Sequence, residues 1–114
     1  MNGFPFAPLQ ASATVGATVK VTANDTPTSV SGSLVNTAAR QANTIRVCNA
    51  GTVLVFVRVS AESVPTATAS DIPIPAGESL LIQNPVGAGT AGLAALSSTT
   101  TACDVYFTPG EGGV

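Results

Sequence analysis

The chain has 114 residues, enough for one domain that hides roughly two-thirds of the surface its unfolded form exposes, so stability demands neither a disulfide nor a metal. Hydrophobic residues make up 45% and charged residues only 9%, and the four basic side chains (Lys20, Arg40, Arg46, Arg58) form no run in a chain of net charge −2, which argues against nucleic acid as a partner. The longest apolar run, Val53 to Val57, falls far short of the about 20 residues of a membrane helix, and the absence of histidine removes the usual proton shuttle, both Ser-His-Asp and Cys-His chemistry and the commonest metal ligand.

Met1 to Leu9 reads as an extended arm, because Pro5 and Pro8 fix their own φ and push Phe4 and Ala7 out of the helical region. It lacks the basic start and long apolar stretch of a secretory signal, so the protein is either made and used in the cytoplasm or had a signal removed ahead of this numbering; Met1 favours the first. Two of the four Phe, Phe4 and Phe6, stand ahead of the first convincing strand. They either fold back over the domain's own core or dock onto a partner. The second reading makes Phe4, Pro5, Phe6, Pro8 and Leu9 the partner-binding residues. Each Phe buried there would contribute roughly 1.5–3 kcal/mol before ordering costs, which the prolines lower by stiffening the arm beforehand.

Between Ala17 and Ala23, Val19 and Val21 alternate with Thr18, Lys20 and Thr22, the period of a half-buried strand. Asn24-Asp25-Thr26-Pro27 turns the chain, and Thr28 to Val35 alternates more weakly, with Gly32 marking a bulge or interruption. From Thr44, Ile45 and Val47 alternate with Arg46 and Cys48. Asn49-Ala50-Gly51 then supplies a turn able to take positive φ, so a hairpin is expected. Its return strand, Thr52 to Ser60, is apolar on both faces and should be central.

Asp71-Ile72-Pro73-Ile74-Pro75 fits a sheet edge or a crossing between sheets, because each proline removes a ladder donor. Ala76-Gly77-Glu78 is a tight turn into a strand from Ser79 to Gln83, ended by Asn84-Pro85. A Gly-rich loop from Gly87 to Gly92 follows. Gly92 to Ser98 and Ala102 to Thr108 read as a last pair of strands, with Cys103, Val105 and Phe107 inward and Asp104, Tyr106 and Thr108 outward.

These six to eight short strands, with turn signals about every 8–12 residues and no helical period, predict an all-β fold: a small β-sandwich or jelly-roll-like barrel with an extended N-terminal arm. The arm is assigned to residues 1–12, the domain to 13–108 and a flexible tail to 109–114. Cys48 and Cys103 are expected to be free thiols used as small hydrophobes, with a disulfide as the alternative in an oxidising compartment.

The six carboxylates (Asp25, Glu62, Asp71, Glu78, Asp104, Glu111) fall mostly in turns and at strand ends, where solvation and local backbone bonding account for them. Gly87, Gly89 and Gly92 imitate a phosphate-cradling spacing without the helix such a loop needs. With no Trp and one Tyr, Tyr106, the chain offers little platform for a glycan. The expectation is a protein that is not an enzyme and uses no cofactor or metal.

Arg46-Val47-Cys48-Asn49-Ala50-Gly51 with the valine-rich strand after it, Ile72-Pro73-Ile74-Pro75-Ala76-Gly77-Glu78, and Val105-Tyr106-Phe107-Thr108-Pro109-Gly110-Glu111-Gly112 resemble stretches of small structural proteins of tailed bacteriophages. The likeness runs from Thr44 to the C-terminus and is to capsid decoration, or cement, proteins. The resemblance implies a structural virion protein on the capsid surface, assembled in the host cytoplasm. Its partner would be the major capsid protein, whose neighbouring subunits it would bridge as a homo-oligomer, a dimer or trimer. The alternative is a receptor- or glycan-binding module of a phage fibre or surface protein.

Overall fold

The computed structural model describes residues 7–8, 18–25, 32–36, 44–61, 65–84 and 89–111. Among them are nine strands: β1 (Ala7–Pro8), β2 (Val19–Ala23), β3 (Gly32–Asn36), β4 (Thr44–Asn49), β5 (Val55–Ser60), β6 (Ile72–Ile74), β7 (Ser79–Gln83), β8 (Gly89–Ser97) and β9 (Cys103–Glu111). No helix occurs in the described residues, so none is long and apolar enough to cross a membrane. The all-β expectation holds.

The strands form two antiparallel sheets. In the first, β9 has β4 on one side, with β7 beyond it, and shares its other side between β2 and β1; the second has the order β3-β8-β5-β6. The pairs β5–β6, β4–β7, β3–β8 and β2–β9 are symmetric about the loop that follows β5. The chain is therefore one long antiparallel ribbon with its tip between β5 and β6, bent repeatedly from one sheet to the other. It is closed by the pairs β9–β4 and β8–β5. This is the strand order of a double-sheet jelly roll.

Alternation built the core. Val21, Ala23, Ile45, Val47, Cys103, Val105 and Phe107 face inward from the first sheet, and Val55, Val57, Ile74, Leu93 and Ala95 face them from the second. Phe107 is the one aromatic ring in this cluster; aliphatic and small residues fill the rest. Burial alternates cleanly along β2 and from Cys103 to Thr108, where the other face meets solvent. Along β8 it does not: Leu93, Ala94 and Ala95 are all buried.

Three expectations change. The hairpin predicted at Asn49-Ala50-Gly51 is a crossing: β4 and β5 lie in different sheets. The physical reason is Asn49, which is fully buried. Its Nδ2 donates to the carbonyls of Val53 (2.8 Å) and Ile74 (2.9 Å), and its Oδ1 accepts from the Gly51 N–H (2.9 Å). Its backbone N–H donates to Glu78 O and its carbonyl accepts from Gly77 N–H, each at 2.9 Å. One side chain thus pins both bends of the ribbon, after β4 and before β7. Gly51 is needed for closeness, not for positive φ: a Cβ there would lie 2.7 Å from the Cys103 Cβ. The left-handed residue is Gly77, at φ 75°, with the Glu78 N–H closing the turn onto Pro75 O at 3.1 Å.

The second change is that β8 and β9 are likewise in different sheets, and β8 begins at Gly89, inside the expected Gly-rich loop. The third concerns the C-terminal end: β9 continues to Glu111, and Pro109 and Gly110 are buried where a tail was expected. The edge placement of Ile72–Ile74, the interior placement of Val55–Ser60 and the turn before Ser79 agree with the sequence reading.

Candidate functional site

Of the predicted partner-binding residues, Pro8 lies in β1, and Phe4, Pro5, Phe6 and Leu9 lie outside the described residues. β1 pairs with the end of β9, Ala7 opposite Glu111 and Pro8 opposite Gly110. Hydrogen-bonding direction alternates along a strand. Ala50 N–H donates to Asp104 O on the β4 side, so even-numbered residues of β9 point to β4 and odd-numbered ones to β2 and β1. Pro8 therefore stands at a non-hydrogen-bonded position, where its missing N–H costs no ladder bond. Pro109 aims its lack of a donor at the interval between the last β2 pair, at Phe107, and the first β1 pair, at Gly110. Both prolines fit a central strand's flank by falling where no donor is required. Ala7 and Pro8 are thus tied to one corner of the first sheet, and in the sequence Phe6 and Phe4 stand one and three residues ahead of Ala7.

The outer face of the same sheet is the second candidate surface. Register sets Lys20, Tyr106, Cys48 and Ser79 in one row and Thr108, Arg46 and Leu81 in the next. The hydroxyls of Thr18 and Thr108 share a hydrogen bond (2.9 Å), and the Thr22 hydroxyl donates to Asp104 Oδ1 (2.9 Å). Lys20 and Arg46 are exposed, and Tyr106 is half-buried between them. Two of the chain's four cations therefore share a face on which Asp104 is the described carboxylate.

The other described charges play local parts. Arg58 Nε donates to Asp71 Oδ1 at 3.0 Å, while Asp71 Oδ2 accepts from the Thr68 N–H (2.7 Å) and hydroxyl (3.3 Å), tying the loop after β5 to β5 itself. Among the described residues no three of His, Cys, Asp and Glu come together as metal ligands would. Both cysteines are free: Cys48 sits half-buried on the outer face, and Cys103 is buried in the core with its Sγ 3.7 Å from Val53 O. Opposite faces of the sheet keep these thiols apart. No family model matches the chain, and no curated protein or solved structure matches it either.

Proposed function

We propose that this chain is a structural protein of a tailed-phage virion, which binds the outside of the capsid and stabilises it by bridging subunits of the major capsid protein. The observation that carries the reading is the jelly-roll strand order in a chain with few charges and no histidine. Jelly rolls are frequent in viral shells and in lectins, and fold alone does not choose between the two. Three features favour the shell. The interior is filled by the protein's own aliphatic side chains, leaving contact surface as the means of action. The apolar segment with Phe4 and Phe6 runs in the sequence directly into Ala7 and Pro8, which β1 holds at one corner of the sheet. Among the described residues the outer face of the first sheet carries a single ring, Tyr106, with Lys20 and Arg46 beside it, a small platform for stacking a sugar and a reasonable one for an acidic protein surface.

The test is co-sedimentation with undecorated capsids of the phage that carries the gene. The full chain should pellet with them. Replacing Phe4 and Phe6 together by Ala, which leaves β1 intact, should weaken binding by about ten-fold or more per ring. Undiminished binding of that variant would show the arm has no part in attachment. Failure of the full chain to pellet, together with a positive glycan array, would move the protein to the receptor- or glycan-binding class.

A further inference from the structure

Among the described residues the two sheets meet at one side of the sandwich and end in unpaired strands at the other. At one side, Asn24 at the end of β2 forms a parallel bridge to Leu96 of β8, with the Ser97 N–H donating to Asn24 O at 2.8 Å. At the other side stand the edge strands β6 and β7. Here lie Ile72 and Leu80, 37% and 42% exposed, although their register partners Val57 and Val47 face the core.

Native sheets protect their edges with charge, proline, short strands or bulges. β2 carries Lys20 and runs into the Asn24 bridge, and β6 is three residues long with Pro73 at its middle. β7, Ser79-Leu80-Leu81-Ile82-Gln83, has no charge, no proline and no glycine. Because the Asn49 N–H donates to Glu78 O, even-numbered residues here point to β4. Ser79, Leu81 and Gln83 therefore direct their N–H and C=O groups to the free edge, where no described strand pairs.

We propose that this edge is a homodimer interface, β7 pairing antiparallel with β7 of a second copy about a twofold axis through Leu81. The occupant follows from the self-complementarity of the strand. On that axis Leu81 faces its own copy as a hydrogen-bonded pair, and Ser79 faces Gln83 in a second such pair. Leu80 faces Ile82, so the exposed apolar side chain on the core side is covered by an apolar one. Charge agrees: Glu78 falls opposite Asn84, so no like charges meet. The first sheets of the two copies become one continuous sheet. This inference is independent of the capsid reading, since it concerns the isolated protein.

Light scattering on the purified chain should give the mass of two copies. Leu81→Lys, which sets an ammonium against its own copy, should weaken self-association by about ten-fold or more and give the mass of one copy. In a Cys48→Ser background, Leu81→Cys should form an intermolecular disulfide under mild oxidation, because the Cα atoms of a hydrogen-bonded pair lie about 5.5 Å apart. Leu80→Cys in the same background should cross-link far more slowly, since Leu80 meets Ile82. A single-copy mass for the unaltered chain, an undiminished dimer in Leu81→Lys, or faster cross-linking at position 80 than at 81 would each overturn the proposal. Capsid binding is read separately, so either idea can fail alone.

Discussion

Asn49 has the shape of a turn residue in the sequence and the role of a core residue in the fold. Its amide satisfies the carbonyls of Val53 and Ile74, which lie on different bends of the ribbon. Asn49→Ala would take the donor from both carbonyls, that of Ile74 in a buried place and that of Val53 in a half-buried one. The expected loss is about 3 kcal/mol, at about 1–3 kcal/mol per orphaned group, read as a lower urea midpoint with unchanged slope. A stability within about 0.5 kcal/mol of the unaltered chain would mean water replaces the amide. This role was illegible beforehand, because one of the carbonyls it meets lies 25 residues further along the chain. The cysteines were easier: alternation along each strand placed Cys103 inward, and the sheet register set Cys48 on the opposite face. In the native protein Cys48 should react with a thiol reagent within minutes and Cys103 only after denaturant is added, a count that absorbance at the reagent's wavelength follows directly.

At the scale of elements, period-two patterns were readable wherever one face is wet. β2, β4 and β9 belong to that class. β8 was readable from Gly92 onward although Leu93, Ala94 and Ala95 are buried on both faces; its first residues were missed because Gly89 and Gly92 have the look of a loop. Partner choice was harder still. Strands adjacent in sequence are usually expected to pair, yet in a folded ribbon only β5 and β6 are both consecutive and paired across the tip. The loop at that tip is held by Asp71, which accepts from Arg58, from the Thr68 N–H and from the Thr68 hydroxyl. The ion pair itself is weak, since the Arg58 side chain is 36% exposed and that of Asp71 15%. Arg58→Ala should therefore cost about 0.5 kcal/mol, and Asp71→Ala about 1–2 kcal/mol because the turn loses its acceptor as well. Equal losses in thermal melts of the two variants would assign the whole effect to the ion pair.

The two ends of the described chain meet on β9. β9 is the longest-reaching strand of the first sheet: it holds β4 on one side and both β2 and β1 on the other, so residues 110–111 pair with residues 7–8. Pro109-Gly110 looks like a terminator in sequence, and only the pairing pattern reveals that its missing donor falls in the interval between β2 and β1. A chain ended after Thr108 tests this. It removes the partners of Ala7 and Pro8 and also those of Thr44 and Ile45, two fully buried residues of β4. Losing that apolar cover and those ladder bonds should cost about 2–4 kcal/mol, which for a domain of this size lowers the melting temperature by about 10 °C or more. The same cut frees β1 from its only described neighbour, so proteolysis near the N-terminus should accelerate while the arm's sequence is untouched. If the shortened chain melts with the full one and resists protease equally, residues 109–111 are the loose tail that their composition suggests. The arm would then need some other anchor before it could present Phe4 and Phe6 from a fixed point.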